Sequence, residues 1–202
     1  MSASESGRRD PPRDPEEVSL AIAARRGDQR SFEILTQRYM EKAVMIATSY
    51  VGNREDARDL AQEAFYRVLK SFDRFREGKP FAPWFYRILR NVCLNFLEKR
   101  RLRRALSIHP EEGEKTGIHL PSTAPGPQEE CLSRESARML AAAMRELPPR
   151  HREILMLRHY EDLDYASIAE ILEIPIGTVM SRLFHARQKL KGLLAGYAED
   201  RS

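Results

Sequence analysis

Apolar residues in the first hundred positions recur at three- and four-residue spacing and nowhere alternate in twos for long enough to make a strand. Phe32, Leu35, Tyr39, Ala43 and Ile46 form one series. Ala57, Leu60, Ala64, Val68 and Phe72 form a second, and Phe81, Phe85, Ile88, Val92 and Phe96 a third. Residues at this spacing share one face of an α-helix, whereas a half-buried strand would alternate. The interruptions have the chemistry of helix ends. In "VGNRED" Asn53 is suited to N-cap the next helix, and in "REGKPFAP" glycine and proline stop the helix before them. Residues 16–104 are predicted to fold as a helical bundle.

The pattern lapses after residue 104. The stretch "ALSIHPEEGEKTGIHLPSTAPGPQEE" has no apolar period and holds four prolines and three glycines, which is linker composition. Helical spacing resumes from Ser133, through Ala137, Leu140 and Met144, then Ile154, Leu155 and Leu157, then "YASIAEIL" and the final "IPIGTVMSRLFHARQKLK". The expected fold class is all-α. Two small helical domains, 16–104 and 133–196, are joined by a flexible linker at 105–132, with a disordered leader at 1–15 and a short tail at 197–202.

Charge follows the same division. Residues 1–104 carry a net +7, residues 105–134 carry −3, and the remainder balances, giving the overall +4. A basic first half points to a polyanionic partner. Cys93 and Cys131 form no CxxC pair, so neither a zinc site nor a disulfide framework is expected, and no cofactor is implied. No apolar run approaches the roughly 18 residues of a membrane span. The polar start, "MSASESGRRDPPRDPEE", lacks the core of a signal peptide. A cytoplasmic protein with no direct membrane insertion is expected.

"DYASIAEILEIPIGTVMSRL" has the layout of a helix-turn-helix. A short helix carries small Ala166 and Ala169 for close packing. A turn follows around Glu173–Gly177, and Pro175 sits near the next helix start, where its missing N–H costs nothing. In the second helix Val179, Leu183, Ala186 and Leu190 line one face, and Thr178, Ser181, Arg182, His185 and Lys189 the other. Gly177 to Lys191 contains no acidic residue. The second helix of such a motif enters the major groove. Arg182 has the donors for a guanine edge, while Arg187, Lys189 and Lys191 suit phosphates. The plain alternative is an amphipathic surface helix with solvated charges. The packing alanines, the turn and the one-sided charge together favour DNA.

In the first unit, "DARDLAQEAFYRVLKSF" is expected to bury Leu60, Ala64, Phe65, Val68 and Leu69, leaving Asp59, Gln62 and Glu63 together on the opposite side. Spacing alone makes that an ordinary solvated face. A carboxylate pair without a nucleophile, third ligand or pocket signature does not make a catalytic site, so no catalytic or metal-ligating residues are assigned. The helix "FAPWFYRILRNVCLNFLEKRRLRR" interleaves Trp84, Phe85, Tyr86 and Phe96 with Arg87 and Arg90. It ends in Lys99, Arg100, Arg101, Arg103 and Arg104. Rings that stack on bases beside cations that hold the backbone suit single-stranded nucleic acid. Phe85 and Phe96 are expected in the core, and the terminal cluster exceeds what a helix dipole requires.

The ordered motifs "GDQRSFEILTQRY", "NREDARDLAQEAFYRVLKSFDRF", "FAPWFYRILRNVCLNFL", "LPPRHREILMLRHYEDLDYASIAEIL" and "PIGTVMSRLFHARQKL" resemble a bacterial extracytoplasmic-function (ECF, group IV) sigma factor of the sigma-70 family. The resemblance spans about residues 18–104 and 133–195. It implies a non-enzymatic initiation factor that binds core RNA polymerase at the β′ clamp helices and β flap and directs it to promoter DNA. Residues 16–104 would be sigma region 2. There Asp59, Gln62 and Glu63 match the clamp-docking surface, and Phe75 and Asn91 match the pocket for a flipped base of the −10 element, with Trp84, Arg87, Arg100 and Arg101 beside them. Residues 133–196 would be region 4, with Thr178, Ser181, Arg182, Phe184, His185 and Lys189 at the −35 duplex. The acidic linker would thread toward the RNA-exit path. An anti-sigma factor is an implied further partner. Met180 and His185 stand where many members carry Arg or Lys, so an atypical −35 preference is expected. A stand-alone helix-turn-helix regulator would need neither the docking face nor the aromatic–basic helix. A nuclease using Asp59 and Glu63 would lack supporting ligands.

Overall fold

In a computed structural model the described residues are 14–106 and 127–199, all of their regular structure helical. The leader before Asp14, most of the expected linker and the last three residues lie outside them. Helix α1 (Pro15–Arg25) starts with Asp14 as N-cap, its carboxylate accepting from the Glu16 N–H at 3.0 Å, and with Pro15 at the first helical position. Helix α2 (Gln29–Val51) is capped by Asp28 and ends where Gly52 turns left-handed at φ 87°. Asn53 then caps α3 (Arg54–Ser71), accepting from the Asp56 N–H at 2.7 Å, as its place in the sequence predicts. A 3₁₀ turn, Phe72–Arg74, and a loop with Gly78 at φ 77° lead to α4 (Phe81–Leu106). Glu17 from α1 closes the start of α4 by accepting the Phe81 N–H at 2.9 Å and the Tyr39 hydroxyl proton.

The three apolar series meet in an aromatic core. Phe85 stacks on Phe65 at 4.6 Å and on Phe81 at 5.7 Å between ring centroids, with Tyr39 tilted against both Phe81 and Phe85. Phe85 is fully buried, as expected, while Phe96 is only partly so. Leu69, expected inside, is 54% exposed. Ala57, Leu60, Ala61, Ala64, Phe65 and Val68 already fill the inward stripe of α3, and Leu69 lies one 100° step beyond Val68.

The second half comprises α5 (Pro127–Glu146), α6 (Pro149–Leu155) running into a π turn (Met156–Tyr160), α7 (Tyr165–Leu172) and α8 (Ile176–Glu199). Asp164 caps α7 through the Ser167 N–H at 2.6 Å. The turn between α7 and α8 hinges on Glu173, left-handed at φ 56°, whereas Gly177 is right-handed inside α8. Ser167, Ile168, Ile171 and Leu172 supply the buried face of α7; Ala169 packs partly against the core, but Ala166 is exposed. Close packing therefore comes from Ser167 and Ala169 rather than from both alanines. Val179, Leu183 and Ala186 of α8 are buried, as their spacing predicts.

The two halves pack together and their buried apolar side chains form one continuous cluster. Polar contacts cross the seam. Glu153 of α6 accepts from the Tyr50 hydroxyl of α2 and from Arg90 Nε of α4 at 2.8 Å. Arg152 donates to the Ser49 carbonyl at 2.8 Å, and Lys42 pairs with Glu161 at 3.3 Å. These partners are far apart in sequence and belong to no periodic pattern, so the sequence predicts two domains and not their joint surface.

Candidate polymerase and nucleic-acid interfaces

On α3, Asp59 and Gln62 are exposed and Glu63 is partly so, held by Arg67 Nε at 2.7 Å across one helical turn. The same exposed side carries Tyr66 and Leu69, 56% and 54% exposed. Asp59, Gln62, Tyr66 and Leu69 are spaced by three, four and three residues and so form one stripe. Lys70 lies over the Tyr66 ring at 5.5 Å. The apolar end of this face was missed in the sequence because Leu69 reads as core. The two large apolar side chains beside polar groups make this face a candidate contact surface.

The start of α4 and the loop before it enclose a cleft of about 350 Å³. Phe75 and Trp84 line it with their rings 5.1 Å apart, and Arg74, Arg76, Lys79 and Arg87 contribute positive charge. Phe75 is 2% exposed, packed against Phe72, Phe81 and Trp84, so it shapes the wall instead of projecting into solvent. Asn91 is exposed one turn beyond Arg87 on the same stripe as Trp84. Arg100 and Arg101 lie farther along α4, Arg100 3.9 Å from Asp56 and Arg101 3.0 Å from Glu98. The structure thus brings Phe75, Trp84 and Arg87 together, sets Asn91 beside them, and leaves Arg100 and Arg101 apart. Arg74, Arg76 and Lys79 were not anticipated. Arg74 ends the 3₁₀ turn and Arg76 and Lys79 sit in the loop after it, where no period runs, and the only sequence signal was the charge density of "DRFREGK".

The mouth of this cleft faces the second half. Glu170 of α7 lines it, and Glu173 accepts from Arg87 at 2.6 Å. Two carboxylates therefore occupy space beside cations that would otherwise meet an external anion.

On α8, Ser181, Phe184, His185 and Lys189 are exposed, and Thr178 and Arg182 are partly so. Phe184 and His185 touch edge to face at 5.5 Å. Arg187 is turned aside, donating to His159 Nε2 at 3.2 Å. Burial holds the His151 imidazole below its ordinary range, with smaller contributions from neighbouring Arg150, Lys189, Arg182 and His185.

The Sigma-70 region 2 family model matches residues 35–103, and the Sigma-70 region 4 model matches residues 137–190. The chain is 34% identical over 176 residues to the ECF RNA polymerase sigma-E factor of Haemophilus influenzae, covering 86% of this chain and 92% of that protein. It belongs to the ECF sigma factors of bacterial RNA polymerase. The ECF sigma factor SigW of Bacillus subtilis is 29% identical over 83% of this chain and 90% of its own length. In fold this sigma factor resembles RpoE of Bartonella quintana, solved with the anti-sigma factor NepR. The TM-score is 0.69 at 22% identity, over 82% of this chain and 98% of that one. It also resembles CnrH in complex with the cytosolic domain of CnrY, with TM-score 0.65 at 23% identity, over 90% and 99%. Like other members, this sigma factor directs RNA polymerase to specific promoters. Among the described residues no helix is long and apolar enough to cross a membrane, and no cluster of His, Cys, Asp and Glu is placed to hold a metal.

Proposed function

We propose that residues 16–104 act as the polymerase-docking and −10-reading region and residues 133–196 as the −35-reading region, with named surfaces for each task. Asp59, Gln62 and Glu63, extended by Tyr66 and Leu69, dock on the β′ clamp helices. The Phe75–Trp84 cleft, with Arg87 and Asn91, receives a base flipped from the opened −10 strand, and Arg100 and Arg101 follow its backbone. Extruding the base costs a few kcal/mol, which stacking and edge hydrogen bonds must offset. Thr178, Ser181, Arg182, Phe184, His185 and Lys189 address the −35 duplex. The protein works in the cytoplasm without catalysing a reaction itself. Because the structurally similar RpoE of Bartonella quintana was solved with an anti-sigma factor, an anti-sigma factor is the expected regulator.

The observation that carries this reading is the aromatic cleft ringed by four cations at the start of α4, in one chain with a helix-turn-helix. Single-strand capture needs rings and charge in one recess, and duplex reading needs a projecting helix. Arg87 is engaged by Glu173 in the present arrangement, so promoter binding requires α7 to leave α4. Transcription reconstituted with core polymerase tests the reading. The wild-type chain should give promoter-specific starts. Asp59→Ala with Gln62→Ala should abolish polymerase binding without changing helicity, since both residues are exposed. Absence of any promoter-specific start would overturn the reading.

A further inference from the structure

Helix α8 carries an apolar stripe that its packing does not use. Ile176, Met180 and Phe184 are 47%, 55% and 58% exposed, although Val179, Leu183 and Ala186 of the same helix are buried. Their four-residue spacing places them in a row about 12 Å long, from a rise of about 1.5 Å per residue. That length spans three to four base-pair steps of about 3.4 Å. Ser181 and His185 each follow a stripe residue by one position and are exposed. The apolar row is therefore continuous with the polar side of α8 and is not a separate surface.

Gly177 adds an independent observation. It is helical with right-handed geometry, and a methyl group built there would meet nothing within 4 Å. Nothing inside the chain requires a glycine at this point, and glycine weakens a helix. The bare backbone there would let an external body approach the first turn of α8 closely, beside Ile176 and Thr178.

We infer that Met180, flanked by Ile176 and Phe184, selects thymine in the −35 element by apolar contact with the C5-methyl group. The inference rests on the assignment of α8 to the −35 duplex and names its chemistry. In the major groove guanine, adenine and cytosine edges present donors and acceptors, and thymine alone adds a methyl group. A methionine side chain has no donor and only a weak acceptor. Pressed against a purine edge, it would strip water from groups it cannot pair. Against a thymine methyl it buries apolar surface on both sides. The flexible thioether also suits an irregular apolar contact.

The test uses the full chain bound to core polymerase. A −35 element is first selected from a duplex library randomised over that region. Each thymine is then replaced singly by deoxyuridine, which removes only the methyl group, and affinity is measured at fixed salt. At one or more thymines the replacement should weaken binding about fourfold, the equivalent of burying one methyl. In Met180→Ala that difference should shrink toward unity at the same position, while thymine preference elsewhere persists. Phe184→Ala serves as a second variant reporting on the neighbouring step. A selected element lacking thymine, insensitivity to deoxyuridine at every position, or a difference unchanged in both variants would overturn the inference while leaving −35 binding intact. Failure to select any element would instead overturn the assignment of α8 itself, and the inference with it.

Discussion

Arg152 should be among the most costly polar residues to remove, and the structure gives the size of the effect. Its guanidinium donates to four carbonyl oxygens: Met144 at 2.8 Å, Arg145 at 2.6 Å, Leu147 at 3.1 Å and Ser49 at 2.8 Å. Met144 and Arg145 lie in the last turn of α5, where helix geometry leaves carbonyls without partners, Leu147 follows that helix directly, and Ser49 belongs to α2 across the seam. Burial pulls the guanidinium below its ordinary range, and an arginine side chain nevertheless stays charged in proteins. Hydrogen bonds to a charged group contribute about 1.5–3 kcal/mol each, but they are not additive, and water re-solvates the more exposed carbonyls after truncation. Counting two acceptors as inaccessible to water gives about 3–6 kcal/mol for Arg152→Ala, or roughly 6–24 °C in Tm for a chain of this size. Arg152→Met, which keeps the aliphatic volume, should lose nearly as much, because the donors matter and not the stem. Arg152→Lys should recover less than half, since one ammonium cannot reach acceptors arranged around a planar fork. Urea unfolding followed by circular dichroism, with hydrogen exchange read at the end of α5, measures both. Arg152→Ala within about 1 kcal/mol of wild type, or Arg152→Lys equal to it, would refute the reasoning.

Three further outcomes are expected. Burial pushes the Glu161 carboxyl above its ordinary range, outweighing the pull of Tyr86 and Lys42, with Tyr39 and Tyr160 also nearby. A carboxyl raised in the folded state costs stability while ionised, so stability should rise as pH falls through its folded value toward the unfolded one near ~4.3. Glu161→Gln should therefore raise Tm at pH 7 and flatten that dependence; a lower Tm at pH 7 would show that the Lys42 ion pair dominates instead. Cys93 is fully buried and its thiol is pushed up to about 12, so in a Cys131→Ser background it should resist alkylation in the native protein and react on unfolding, with rapid native labelling as the contrary result. His185→Arg should tighten duplex binding and steepen its salt dependence by about 0.9 in log–log slope if the side chain meets a phosphate, and an unchanged slope would place it elsewhere.

What could be read from the sequence divides along a physical line. Helices, caps and their inward faces depend on residues three or four positions apart, so Asn53 as a cap and Val179, Leu183 and Ala186 as core were visible in the pattern. The misplacement of Leu69 has the same origin: periodicity says which residues share a face but not how wide a face the neighbouring helices will cover. The cations of the cleft were less accessible, because Arg74, Arg76 and Lys79 are brought round Phe75 and Trp84 by a loop whose path no period specifies. Least accessible was the seam, where Glu153 meets Tyr50 and Arg90, and Glu173 meets Arg87, across 63 to 103 positions of chain.

That seam bears directly on how the candidate surfaces work. Arg87 is half-exposed yet paired with Glu173, and Glu170 stands at the same cleft. An exposed ion pair of this kind contributes little net stability, because water and salt compete with it. The more buried Glu153–Arg90 pair holds the halves by geometry, and its attraction is largely offset by desolvation. Separation therefore exchanges internal carboxylates for solvent or phosphate at modest electrostatic cost, while the apolar contacts of the seam supply the remaining barrier. A polyanion offers Arg74, Arg76, Lys79 and Arg87 several phosphates where α7 offers two carboxylates. By that charge count, if the cleft is the −10 site proposed above, promoter DNA would outcompete α7 there once the halves separate.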